Sequence, residues 1–166
     1  MRFRFCNVEH GWMDIEVQTT DTSYKLCVSD VLTDCVVDLL QAAIFLHKGN
    51  DIAQVMFWGE PATDTWHIIR DGETLRIKHY WHSETLIGHR TTIIDLNVSE
   101  SDLGQLQDET TVNLSDFTNE VIRFVSSIPD MNDLEKYEST ERWGKPFPSE
   151  AYEQLKELRR AYRASY

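Results

Sequence analysis

With 166 residues, 41% of them hydrophobic, the chain can bury one proper core and is too short for two ordinary domains, so a single globular domain over 1–166 is expected. Its 28 acidic against 16 basic side chains give a formal net charge of −12, which repels a phosphate backbone and argues against direct nucleic-acid binding. No stretch approaches the roughly 18 apolar residues of a membrane span, and MRFRFCNVEHGW turns polar well before a signal-peptide core forms, so a cytoplasmic protein is expected.

The chain opens as a hairpin. Phe3 and Phe5 alternate with Arg2 and Arg4, and after Glu9-His10-Gly11 the alternation resumes with Ile15 and Val17 against Asp14 and Glu16. A three-residue loop with Gly11 in the left-handed region sets Phe5 against Ile15, Phe3 against Val17, and Arg4 against Glu16 on the other face. Tyr24, Leu26 and Val28 suggest a third strand.

Helical spacing follows from about Asp30 to Lys48, through Leu32, Val36, Leu39, Leu40, Ala43 and Leu46, with Lys48-Gly49-Asn50 as the stop. Asp30, Asp34 and Asp38 repeat every four residues along another side of this helix. Asp30 and Asp34 suit its positive N-terminus, whereas Asp38 is expected beyond the first turn, where the dipole no longer accounts for it.

Ile52 to Trp58 reads as a strand ended by Gly59-Glu60-Pro61-Ala62. The stretch WHIIRDGETLRIKHYWH, Trp66 to His82, carries the strongest hairpin signal, Asp71-Gly72. With those two as the turn, Arg70 meets Glu73, Ile68 meets Leu75, and Trp66 meets Ile77. The opposite face then carries His67 beside Arg76, with Lys78, Tyr80 and His82, and is expected to be solvated. Trp81 shares the apolar face and is expected inside, while Trp58, near Glu60-Pro61, is a candidate for an exposed aromatic at a sheet edge.

His89 to Val98 has strand composition, and the polar Ser99 to Asn113 reads as a loop. Ser115 to Ile128 is a second helix ended by Pro129, and Ser149 to Tyr162 a third, joined through 129–148, an aromatic and Pro-containing connector. The sum is an α+β fold: an antiparallel sheet of about six or seven strands, one helix after strand three packed on a face, and two C-terminal helices.

Catalytic motifs are missing. The seven glycines are scattered singly, with no phosphate-cradling loop, no G-x-S-x-G elbow and no H-E-x-x-H helix. His82-Ser83-Glu84 matches the H-x-E of zinc deaminases, but no P-C-x-x-C accompanies it. Cys6, Cys27 and Cys35 lack metal or disulfide spacing and read as reduced thiols. Cys6 or Cys27 with His67 or His79 and an aspartate is the sort of set that any chain of this size contains by chance. If Ser83 to Gly88 is a loop, His82 lies opposite His89 with Glu84 near the turn, a weak ligand set for a divalent metal. The enzyme alternative is therefore a small hydrolase or metal-binding enzyme using the His67, His82 and His89 region. No cofactor is called for.

The acidity points elsewhere. Thr91 to Ile122 contains no Lys or Arg, yet holds Asp95, Glu100, Asp102, Asp108, Glu109, Asp116 and Glu120. A solubilising surface explains any single charge run. Together with Asp34 and Asp38, the run suggests a non-enzymatic module that recognises a basic protein, through Asp34, Asp38, Glu100, Asp102, Asp108, Glu109 and Trp58. In size and acidity, though in no residue motif, the chain resembles the small cytosolic immunity proteins that neutralise bacterial toxins. That resemblance implies an immunity or inhibitor protein.

Overall fold

Alternating side chains shape the first sheet. The computed structural model describes residues 1–31, 33–83, 100–128 and 145–164. Strands β1 (Arg2–Glu9), β2 (Trp12–Gln18) and β3 (Ser23–Ser29) pair antiparallel in chain order. Phe3 faces Val17, Arg4 faces Glu16 and Phe5 faces Ile15, the register expected from the sequence. The loop is tighter than expected: Glu9 pairs with Trp12, leaving His10 (φ 51°) and Gly11 (φ 79°) as a two-residue turn. A bulge at Cys6, between Phe5 and Asn7, absorbs the difference. Phe3, Met13, Ile15, Val17, Leu26 and Val28 are buried on one face, and on the other Arg4 Nε donates to Glu16 at 2.8 Å.

Helix α1 (Cys35–His47) begins later than its apolar spacing predicts. Asp34 is the N-cap, its Oδ1 accepting from the N–H groups of Val36 (3.1 Å) and Val37 (3.2 Å). The Asp30 N–H donates to the Gly11 carbonyl, so Asp30 belongs to the end of the sheet. The later start also places Asp38 in the first turn, within reach of the helix dipole that the longer helix would have denied it.

A second antiparallel sheet follows in the order β4 (Ile52–Gly59), β5 (Ala62–Asp71), β6 (Thr74–His82) and β7 (Gln105–Asn113). The seven described strands are thus divided three and four between two sheets. The sheets approach at Gly59, where a Cβ would collide with the Cys27 carbonyl oxygen. Strand β7 corrects the expectation of a loop over Ser99 to Asn113. Its Gln105, Leu106, Gln107, Glu109 and Thr111 are exposed, so one-sided burial left no apolar alternation to read.

The β5–β6 hairpin is also corrected. Asp71 pairs with Thr74, Ile68 with Ile77 and Trp66 with His79, so Gly72 (φ 58°) and Glu73 form the turn. The register has slid by two residues, which preserves the faces. Arg70 still meets Glu73, at 3.8 Å, and also donates to the carbonyls of Gly72 (2.7 Å) and Leu46. The face expected to be solvated is only partly so: His67 is 7% exposed and Tyr80 5%, Lys78 and His82 are half-buried, and Arg76 is exposed.

The apolar faces converge on Phe3, whose ring lies 5.1 Å from Trp66 of β5, and 6.1 and 6.2 Å from Phe117 and Phe124 of α2 (Leu114–Ser127). One side chain of β1 thereby joins both sheets to a helix. Helix α3 (Ser149–Ala164) buries Ala151 and Leu155, and its Tyr162 ring meets His47 edge-on at 5.5 Å. His47 Nε2 donates to Thr118 Oγ1 at 2.8 Å, tying α1 to α2, and the Thr118 hydroxyl donates onward to the Leu114 carbonyl. Burial, and then the charge of Arg70, lowers the His47 pKa, favouring this neutral form.

Candidate functional site

A polar cluster interrupts the apolar face of the second sheet. On β5 the residues sharing Trp66's face run Ile68, Trp66, Asp64, and on β6 they run Ile77, His79, Trp81. His79, only 6% exposed, has its Nε2 2.6 Å from Asp64 Oδ1. Its ring stacks on Tyr24 of β3, with centroids 4.3 Å apart and planes at 17°. The Tyr24 hydroxyl accepts the Trp66 indole N–H at 3.1 Å, so the network crosses from one sheet to the other.

Burial governs the phenol of this network. Burial pushes the Tyr24 phenol above its ordinary value; the Trp66 hydrogen bond offsets part of that rise, and Asp108 and Asp64 add to it. Tyr24 is therefore a neutral phenol. The Nε2–H tautomer of His79 satisfies Asp64, leaving Nδ1 a buried nitrogen with no hydrogen-bond partner among the described residues.

Outside this pair lies a cleft of about 220 Å³ lined by Thr22, Tyr24, Asp64, His79, Trp81, Gln107 and Asp108. Its outer wall comes from a bulge: His79 pairs with Asp108 but Tyr80 with Leu106, so Gln107 is the extra residue. The bulge brings Gln107 and Asp108 to the same cleft. Gly104 (φ 98°) lets the chain enter β7 close to β6, since a Cβ there would collide with the Trp81 carbonyl oxygen. Trp81, expected inside, is 40% exposed at the rim, and Leu106 on the neighbouring strand is 48% exposed. Trp81 does lie on the apolar face, but near the end of its strand, where burial gives out.

A larger cleft, about 530 Å³, lies between β1 and α2 and is lined in part by Arg2, Arg4, Glu16, Glu120 and Arg123. Its charges are mostly engaged with one another: Arg4 bonds Glu16, while Arg123 bonds Glu120 (2.6 Å) and the Phe3 carbonyl. The smaller cleft differs in holding Asp108, whose carboxylate makes no hydrogen bond or ion pair among the described residues.

The acidic residues singled out in the sequence fall in two places. Asp34 and Asp38 stand at the start of α1, and there Asp34 caps the helix. Burial, then the neighbouring Asp34, pushes the Asp38 pKa up to about 7, so it holds only part of its charge at neutrality. Asp102, exposed in a 3-10 turn at Glu100–Asp102, Asp108 and the exposed Glu109 lie together along the last described strand and its approach. The Glu100 side chain is outside the described residues. Glu109 pairs with Lys78 in the ladder, on the face away from His79. Trp58 is buried at 6% exposure.

Of the histidine candidates, His67 is buried with its Nδ1 3.1 Å from Gln54 Nε2. His82 is half-buried at the end of β6, while Glu84 and His89 lie outside the described residues. No group of three His, Cys, Asp or Glu side chains among the described residues is arranged to hold a metal ion. Cys6 and Cys27 are exposed and Cys35 is buried. Burial, then Asp14, raises the Cys27 pKa, which lowers its thiolate fraction.

Sequence reasoning missed Asp64 and Tyr24. The available signal was the alternation itself, which puts Asp64 on the face of Trp66 and Ile68; a carboxylate there requires a partner.

No family model matches this chain, and no curated protein matches it. Among solved structures, it is similar to a chain of the CdiA-CT/CdiI toxin and immunity complex from Enterobacter cloacae, at 9% identity and a TM-score of 0.43, over 75% of this chain and 98% of that one. No helix among the described residues is long and apolar enough to cross a membrane.

Proposed function

We propose that this protein is a non-enzymatic, cytoplasmic binding module for a basic protein, its concrete form being an immunity or inhibitor protein that neutralises a toxin. The observation that carries the reading is Asp108, its carboxylate unpaired among the described residues, sharing a cleft with the part-exposed Trp81. An exposed aromatic beside the Asp64 and Asp108 carboxylates suits a basic protein surface: the aromatic supplies contact area, and the carboxylates set encounter rate and specificity. Trp81 takes the anchoring role that the sequence suggested for Trp58. Asp34 and Asp38 contribute to the overall field rather than to contact, and the net charge of −12 turns nucleic acid away.

Affinity capture from the native extract at low salt, followed by binding with the purified captured protein, tests this reading. The expected partner is basic, is lost from parent protein as salt rises, and is toxic when produced alone but harmless when produced with this chain. Retention of only neutral or acidic proteins, or of none, contradicts the reading.

A further inference from the structure

The cleft at Asp64, His79, Trp81 and Asp108 is too small for an ordinary small-molecule ligand, since such pockets run from about 300 to 1,000 Å³. At about 220 Å³ it has room for one side chain and little more. We infer that it receives a single arginine side chain from the protein partner, the guanidinium lying between the Asp64 and Asp108 carboxylates and against the Trp81 indole. The inference rests on the reading of this protein as a binder of basic proteins and adds the residue type recognised.

Three observations select the guest. Asp108 is a carboxylate without a partner among the described residues, and Asp64 is shared with a histidine, so the cleft has an excess of negative charge. His79, more than nine-tenths buried, leaves Nδ1 without a hydrogen-bond partner among the described residues. The remaining lining is uncharged: Thr22, Tyr24, Trp81 and Gln107. A guanidinium offers five N–H donors in one plane, spreads its charge and stacks on aromatic faces. The ammonium of lysine is a compact, strongly hydrated point charge that gives up more on leaving water and stacks less well. Two carboxylates in a cleft lined by aromatic rings therefore favour arginine.

The test is an NMR titration of the isotope-labelled full chain at low salt. The probes are Nα-acetyl-arginine methylamide, its lysine counterpart, and the citrulline counterpart as a neutral isostere. The Trp81 indole N–H and the Gln107 side-chain amide should shift with the arginine probe, at least fivefold less with lysine at equal concentration, and not with citrulline. Asp108→Asn, a near-isosteric change at the cleft wall, should weaken the arginine response at least fivefold, and Trp81→Ala should do the same without altering the fold. Equal shifts with citrulline, shifts confined to other residues, or an unchanged response in Asp108→Asn overturn the inference. Its failure is separable from that of the functional reading. A basic partner bound equally by parent and Asp108→Asn removes the arginine site alone. A probe response in a protein that captures no basic partner removes the functional reading alone.

Discussion

The imidazole of His79 is held between Asp64, 2.6 Å from its Nε2, and the ring of Tyr24, stacked at 4.3 Å on the other sheet. This contact links two sheets that no ladder joins among the described residues, and removing either end of the Asp64 and His79 pair leaves a polar group unpaired at the apolar face. His79→Ala and Asp64→Ala should each destabilise the protein by about 2–4 kcal/mol. The double variant should cost about 1–2 kcal/mol less than their sum. Urea unfolding of the four proteins checks this, and strict additivity would show that the pair is not coupled.

Two glycines separate two kinds of backbone demand. At Gly72 a Cβ would meet nothing within 4 Å, so Gly72→Val suffers only from the positive φ, by about 1–3 kcal/mol, and Gly72→Asn should recover most of that loss. At Gly59 the obstacle is the Cys27 carbonyl, so even Gly59→Ala should force the sheets apart and cost about 1–3 kcal/mol. No polar replacement should rescue it. Thermal melts of the three variants make the comparison.

Asp38 predicts a pH dependence. Its folded pKa is raised from the usual carboxylate range to about 7, chiefly by burial. A raised folded pKa means that the carboxyl favours folding while protonated, so its contribution is complete below about pH 4 and is lost as pH rises through 7. Asp38→Asn should match the parent near pH 4 and exceed it at pH 8, by on the order of 1–3 kcal/mol. Denaturation at the two pH values decides it; a parent that remains the more stable at pH 8 would show that the helix dipole outweighs burial.

Phe3 is legible in the sequence only as one inward residue of a hairpin. Alternation places it opposite Val17, as the structure does. Its contacts with Trp66, Phe117 and Phe124 come from elements far along the chain, which local pattern does not encode. The helices are legible because a buried stripe at period 3.6 persists for three or more turns, as in α2. The start of α1 is not, because Asp34 caps the helix and so begins it inside a longer apolar pattern. Strand β7 is invisible because just one of its side chains, Thr110, is buried. For the candidate site, Asp108 and His79 stand out separately in the sequence. Their meeting depends on the β6–β7 register and its bulge, neither of which the polar sequence of β7 specifies.

Phe3→Ala should accordingly be among the most damaging single changes, at about 3–5 kcal/mol, because it opens a cavity among both sheets and α2. Trp81→Ala, at 40% exposure, should cost less than about 1 kcal/mol of stability while weakening partner binding at least tenfold. Chemical denaturation and titration of the same two variants check both statements, and a Trp81→Ala protein with parental affinity would detach the aromatic from the interface.

The most direct measurement of the central claim is the association rate with the captured basic partner as a function of ionic strength, for the parent and for a protein carrying Asp102→Asn, Asp108→Asn and Glu109→Gln. Asp34 is left intact there because it caps α1, and its loss would confuse stability with recognition. Parent association should slow by about tenfold or more between low and high salt, as screening shortens the reach of the charges. The triple variant should associate more slowly at low salt and show a shallower salt dependence, with its thermal stability preserved. Identical rates and identical salt slopes for the two proteins would contradict recognition of a basic partner through these carboxylates.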